Sequence, residues 1–204
     1  MTAASHRRLP LTPELLLTAY RGGIFPMAEP DQNNRVYWFS PDPRAILPLD
    51  AFHCPKNLLR VVRGNRFMVT VDRAFPEVMR ACSEPRPDAA KSWISEEFIQ
   101  VFTELHRLGF AHSMECWLEG ALVGGLYGVS VGGAFMGESM FHRATDASKV
   151  ALYHLVERLR HRGFVLLDVQ FTTPHLLRFG VIEIPREEYE TRLAAAIQLP
   201  VTFV

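Results

Sequence analysis

Residues 120–137 carry no charged side chain and seven glycines, and this stretch constrains the fold more than any other. A membrane-spanning helix needs about 20 mostly apolar residues. Glycine costs a helix interior about 1 kcal/mol relative to alanine, so seven in one turn-rich run argue against a helix. The apolar residues alternate instead, which is the strand period. The stretch reads as two buried strands joined by a turn at Gly132 and Gly133.

Around this pair the pattern extends to a full domain. Residues 111–118 predict a strand that turns at Glu119-Gly120 into the return strand 121–131, and 134–141 predict a third. Asp146 or Ser148 is expected to cap a long helix that ends at Gly163, followed by a strand over 164–170. Short helices follow from Pro174 and from Pro185. Upstream, Ser95 is expected to cap an amphipathic helix that buries Phe98, Val101, Phe102 and Leu105. Residues 57–63 and 74–82 read as helices, 67–71 as a strand and 83–90 as a loop. The first part is rich in proline, with a helix started by Thr12 and Pro13, and strands at 36–39 and 45–49. The expected organisation is a small N-terminal domain over 1–58 and a second domain over 59–204. The fold class is α+β with a mixed, mostly antiparallel sheet, in an element order that resembles acetyltransferase (GNAT) sheets.

The totals exclude several classes. With 22 basic and 22 acidic residues among 204 the net charge is zero, so the chain is no mass binder of nucleic acid, although a local basic patch remains open. Lysine occurs at only Lys56, Lys91 and Lys149, which leaves arginine, the better bidentate ligand, as the main cation. Cys54, Cys82 and Cys116 form no C-x-x-C pair, so neither a disulfide framework nor a zinc site is expected. No apolar leader is evident, and a cytoplasmic protein without membrane attachment is the expectation. No P-loop, nucleophile elbow or His-Glu-x-x-His motif occurs, and neither a metal nor a cofactor is expected.

Three sets of residues carry chemical potential. Asp168 and Gln170 end an apolar strand and, two apart, share one face. Asp168 either makes the following turn or pairs with an arginine, or it orients Gln170 beside a reacting group. Glu138 lies in an apolar strand and needs a partner, which Arg143, Arg178 or a bound cation could be. Lys56, Arg60, Arg63 and Arg66 occur with no acid between Asp50 and Asp72 and are either a solvated face or phosphate contacts. Trp38 and Trp93 pack or stack a base. His175, near the end of the Asp168 strand, reads as a turn residue.

In order along residues 12–197, a set of motifs closely resembles the bacterial leucyl/phenylalanyl-tRNA–protein transferases. They are Tyr20-Arg21-Gly22-Gly23-Ile24-Phe25-Pro26-Met27, Trp38-Phe39-Ser40-Pro41-Asp42-Pro43-Arg44, Ser92-Trp93-Ile94 and Ala111-His112-Ser113-Met114-Glu115. Further along come Leu122-Val123-Gly124-Gly125-Leu126-Tyr127-Gly128-Val129, Gly137-Glu138-Ser139-Met140-Phe141, Ala147-Ser148-Lys149, Asp168-Val169-Gln170 and Glu183-Ile184-Pro185-Arg186.

The resemblance implies a GNAT-like catalytic domain behind a small N-terminal one. It implies a donor, leucyl-, phenylalanyl- or less well methionyl-tRNA, and an acceptor protein with N-terminal Arg or Lys that is thereby marked for N-degron degradation. A monomer is expected. By the same resemblance Asp168 and Gln170 match the pair that promotes deprotonation of the acceptor amine, and Glu138 matches an active-site carboxylate. Trp38 and Trp93 match aromatics near the terminal adenosine. Phe135, Met140, Leu126, Leu152 and Leu155 are assigned to the pocket for the transferred side chain, and Lys56, Arg60, Arg63 and Arg66 to the tRNA. His142 replaces an expected serine, and Leu177, Arg178 and Phe179 depart from the usual smaller residues, which bears on pocket shape.

Two rival readings have discriminating features. An acyl-CoA N-acetyltransferase needs a glycine-rich pyrophosphate loop, and residues 142–149 contain no glycine. A non-enzymatic RNA-binding module would use the basic patch but leaves Asp168, Gln170 and Glu138 without a task.

Overall fold

The computed structural model describes residues 11–85 and 92–204. Lys91 and part of the loop expected over 83–90 lie outside the described residues.

Helix α1, Pro13–Arg21, begins as the sequence predicts: the Thr12 hydroxyl accepts the Leu15 N–H at 3.2 Å and Pro13 fills the first turn. A hairpin follows, β1 Phe25–Glu29 paired antiparallel with β2 Arg35–Phe39. β1 is not apparent from sequence, because Pro26 argues against a strand. A two-stranded ribbon is all edge, so the missing proline N–H breaks no central ladder.

The main sheet runs in the order β4-β5-β6-β7-β8-β3-β9. Its strands are β3 Arg44–Ile46, β4 Met68–Val71, β5 Ala111–Leu118, β6 Ala121–Val131, β7 Ala134–His142, β8 Leu166–Gln170 and β9 Ile182–Ile184. All neighbours are antiparallel except β7 and β8, which are parallel and joined through helix α5, Ala147–Arg162. This is the mixed, mostly antiparallel sheet expected. β3 lies between β8 and β9, so residues 44–46, which precede the expected boundary at 58, are built into the main sheet.

Two buried clusters flank the sheet. One joins α1, α3 (Phe75–Ser83), α4 (Glu96–Arg107) and α7 (Arg186–Ala196), which follows the short α6 (Pro174–Leu177), to residues such as Tyr127, Val129 and Met136. The other packs α2 (Lys56–Arg63) and α5 on Met114, Cys116, Leu126 and Phe135. Tyr127 and Leu126 fall in opposite clusters, as strand alternation requires. α4 buries the predicted Phe98, Val101, Phe102 and Leu105, each worth about 1.5–3 kcal/mol.

The glycine density of 120–137 has a packing cause. A Cβ on Gly124 would stand 2.4 Å from the Ala147 Cβ, and one on Gly128 would stand 2.3 Å from the Met136 carbonyl oxygen. Gly124 thus lets the first turn of α5 lie directly on β6. Asp146 does occupy the N-cap position of α5, but its carboxylate binds Lys149 at 2.7 Å rather than a backbone N–H. Among the described residues no helix is long and apolar enough to cross a membrane.

Candidate active site

The parallel strands β7 and β8 are paired only from Ala134–Leu166 to Met136–Asp168. Beyond that point β7 continues to His142 on β6 alone, so the sheet forks. A cleft of about 1100 Å³ opens at the fork, walled by β1, the middle of β6, the ends of β7 and β8, the first half of α5 and Trp93. Most of its lining is apolar.

Of the residues assigned to catalysis or substrate binding, seven line this cleft: Trp93, Leu126, Glu138, Met140, Leu152, Leu155 and Gln170. Trp93 packs edge-on against Phe98, with ring centres 5.6 Å apart. Trp38 stands outside the lining, exposed, opposite Pro26 across the hairpin. Phe135 is not in the cleft: it is fully buried and stacks on Phe203 at 5.2 Å, farther along the α5 face of the sheet. Lys56, Arg60, Arg63 and Arg66 are all exposed and away from the cleft. The first three share one face of α2, and Arg60 also bonds Asn57 at 2.6 Å.

Asp168 is fully buried behind the cleft wall, where it both pairs with an arginine and caps the turn that follows. Arg44 Nε donates to Oδ1 at 2.9 Å and its terminal nitrogen to Oδ2 at 2.6 Å, a bidentate fork. The Tyr189 hydroxyl donates to Oδ2 at 2.8 Å, and the Gln170 backbone N–H to Oδ1 at 2.9 Å. Arg44 also donates to the Gly23 carbonyl at 3.0 Å and lies over the rings of Phe25 and Tyr189. Burial pulls the Arg44 pKa down, but the Asp168 hydrogen bond and charge outweigh it and the net shift is upward. Burial, then the Asp168 charge, raises Tyr189. Both groups therefore keep their protons as donors to Asp168. Asp168 makes no hydrogen bond to the Gln170 carboxamide, so the pair that sequence placed on one face is linked through backbone instead.

Glu138 is furnished differently. It pairs with neither Arg143 nor Arg178: Arg143 reaches across the rim to Glu84. Glu138 Oε1 is buried with no hydrogen-bond partner. Burial raises its pKa to about 8, the Asp168 charge adds to that, and Tyr20 and Arg44 oppose it. The Tyr20 hydroxyl lies beside Glu138 and is raised well above its ordinary value by burial and then by that carboxylate. Gln170 Nε2 and His175 Nε2 are also buried without partners. The His175 pKa is lowered by burial and by Lys149, His142 and Arg178, which gather at this mouth of the cleft.

A separate cluster, Asp72, His106 and His112, brings potential metal-ligand atoms within 4.8 Å of one another. Three of its four ring nitrogens are engaged: His106 Nδ1 with the Ala111 carbonyl at 2.8 Å, His112 Nδ1 with Asp72 at 2.7 Å and His112 Nε2 with the Gly109 carbonyl at 3.1 Å. These bonds tie α4, β4 and β5 together, a structural task that accounts for the cluster.

A mostly apolar cleft with a few convergent polar side chains, three of them (Glu138, Gln170 and His175) carrying an unpartnered atom, is the arrangement of an enzyme that holds an apolar group against a reacting one. Comparison with known proteins sharpens that class. The family model described as leucyl/phenylalanyl-tRNA protein transferase matches residues 46–194, and the model for the N-terminal domain of that protein matches 10–42. The leucyl/phenylalanyl-tRNA–protein transferase of Gloeobacter violaceus is 58% identical, over 95% of this chain and 97% of its own. That of Paramagnetospirillum magneticum is 57% identical, over 92% of this chain and 90% of its own. Among solved structures, L-PGS from Bacillus licheniformis aligns with a TM-score of 0.41 at 14% identity, over 80% of this chain and 55% of its own. A GCN5-related N-acetyltransferase-like protein from Streptococcus suis aligns with a TM-score of 0.40 at 14% identity, over 84% and 63%. The chain belongs to the leucyl/phenylalanyl-tRNA–protein transferase family. As a member it is an aminoacyltransferase, with aminoacyl-tRNA and protein as its substrates.

Proposed function

We propose that the enzyme transfers leucine, phenylalanine and, less well, methionine from aminoacyl-tRNA to the N-terminal Arg or Lys of acceptor proteins, marking them for N-degron degradation. One observation carries the reading: Glu138 Oε1 and Gln170 Nε2, both buried and unpartnered, line the same cleft as an apolar pocket. Unpaired buried polar atoms are costly unless a ligand completes them.

The pocket of Leu126, Met140, Leu152 and Leu155 takes the transferred side chain. Leucine, phenylalanine and methionine share an unbranched Cβ, and a pocket that is narrow at its entrance rejects valine and isoleucine there. The ester of the donor is already activated, so holding amine and carbonyl together supplies most of the acceleration, up to about 7–11 kcal/mol. The acceptor amine, with a free pKa of about 8, gives up one proton as its nitrogen bonds the carbonyl carbon. The ester C–O bond breaks, and the ribose oxygen leaves with a proton. Gln170 accepts a hydrogen bond from the amine through Oε1 and donates from Nε2 to the carbonyl oxygen, where negative charge develops.

With its pKa raised to about 8, chiefly by burial, Glu138 favours the neutral form at pH 7. A guanidinium or ammonium of the acceptor's first residue favours the ionised form and is held by it. Trp93 in the cleft and Trp38 on the hairpin stack the terminal adenosine. Lys56, Arg60, Arg63 and Arg66 contact phosphates of the tRNA body.

The test is transfer of labelled leucine from leucyl-tRNA to a peptide that starts with Arg, with an Ala-initiated peptide as control. Labelling of the Arg peptide alone is the expected result. Equal labelling of both, or of neither while tRNA still binds, refutes the acceptor assignment.

A further inference from the structure

Gln170 has an uncommon backbone. Its φ is 61°, the left-handed region that a long side chain rarely enters. The Phe171 N–H returns to the Val169 carbonyl at 2.7 Å, two residues back. That bond closes a γ-turn with positive φ at its centre, the strained form of this turn. Such strain, about 1–3 kcal/mol, persists only where the surroundings over-determine it. Here the restraint is visible: Asp168 Oδ1 accepts the Gln170 N–H at 2.9 Å.

Asp168 is itself immobilised. Each carboxylate oxygen takes two bonds: Arg44 and the Gln170 N–H on Oδ1, Arg44 and Tyr189 on Oδ2. Arg44 and Asp168 are buried to 1% and 0% exposure, and Tyr189 to 1%. No lone pair of Asp168 points into the cleft, and the carboxylate is outside the lining, so it neither meets the amine nor receives its proton. What Asp168 can transmit is geometry, through one backbone N–H to the residue whose carboxamide faces the substrate.

We propose that Arg44 and Tyr189 are positioning residues for the transfer reaction: they clamp Asp168 so that it holds Gln170 in the strained γ-turn and aims its carboxamide into the cleft. The inference rests on the proposed role of Gln170. The clamp also spans the molecule. Arg44 sits on β3 and reaches Gly23 beyond α1, Tyr189 lies on α7, and Asp168 lies on β8. The N-terminal segment and the last helix therefore both set the orientation of one side chain at the fork.

The experiment is a double-mutant cycle between Tyr189→Phe and Gln170→Ala, read by kcat and by KM for leucyl-tRNA and for the Arg peptide. Tyr189→Phe removes one hydroxyl and keeps the ring over Arg44. It is expected to lower kcat about tenfold with the donor KM unchanged. In the Gln170→Ala background the same change is expected to alter kcat less than about twofold, because it has nothing left to orient. Multiplicative losses in the double variant overturn the inference, since a merely structural effect adds independently. If Gln170→Ala alone leaves kcat unchanged, the role of Gln170 falls and this inference with it. Should Tyr189→Phe not fold, Arg44→Lys, which keeps the charge and loses the fork, serves in the same cycle with the same two outcomes.

Discussion

Asp168 and Glu138 are both carboxylates at the fork between β7 and β8, and the protein furnishes them in opposite ways. Asp168 has four hydrogen bonds and no exposed surface. Glu138 has an oxygen with no partner and a pKa pushed up to about 8, with burial the leading cause. A filled carboxylate is frame, because every bond it makes fixes an element in place. An unfilled one is a site, because its desolvation is repaid only when something enters. On the proposed function the contrast gives stability to one acid and recognition to the other, a division that two acids in apolar strands do not show in the sequence.

The largest effect belongs to the frame. Asp168→Ala strands the buried Arg44 guanidinium and is expected to lower unfolding free energy by about 3–5 kcal/mol, measured by urea denaturation. A loss under about 1 kcal/mol would mean that Asp168 is not structural, and the contrast would break. Gln170→Ala is the counterpart, expected to cut kcat by about 10²-fold with stability unchanged. A fall in stability of the size seen for Asp168→Ala would move Gln170 into the frame.

Glu138→Gln tests the site acid through pH. An acid whose folded pKa lies above its unfolded value binds more protons when folded, so it withdraws stability as pH rises between the two. That window runs from an unfolded pKa of about 4.3 to the folded value of about 8. Glu138→Gln should flatten this part of the stability profile, by on the order of 2 kcal/mol for a partly buried group. Thermal melts at pH 4.5 and pH 9 decide it, and parallel profiles for the two proteins would show that Glu138 is not held neutral. The smallest effect lies outside the cleft. Arg60→Ala with Arg63→Ala should weaken tRNA binding several-fold and reduce the salt slope by about 1–2, with kcat at saturating tRNA unchanged.

How much of this was legible in the sequence follows from how far apart the partners lie. The helices with caps, the antiparallel run β5 to β7 and the mixed sheet all carry local signals, and they stand where expected. The family motifs marked Asp168, Gln170, Glu138 and Trp93. Arg44 appeared within one of those motifs, but 124 residues separate it from Asp168, and nothing local tells which arginine will cross that distance. The γ-turn at Gln170 has no glycine or asparagine to announce a positive φ. Nothing in the sequence marks the hydroxyls of Tyr20 and Tyr189, and only the packed structure shows them beside the two carboxylates. Phe135 was assigned to the pocket by motif. Strand alternation does put it on the α5 face with Leu126, but Phe203, near the end of the chain, covers it there.

The division between frame and site is tested most directly by the acceptor KM of Glu138→Gln, measured with an Arg-initiated peptide at saturating leucyl-tRNA near pH 8. A rise of about tenfold, with the donor KM and the melting temperature not lowered, is the predicted result. An unchanged acceptor KM would contradict it, because Glu138 would then be a buried acid without a substrate to receive.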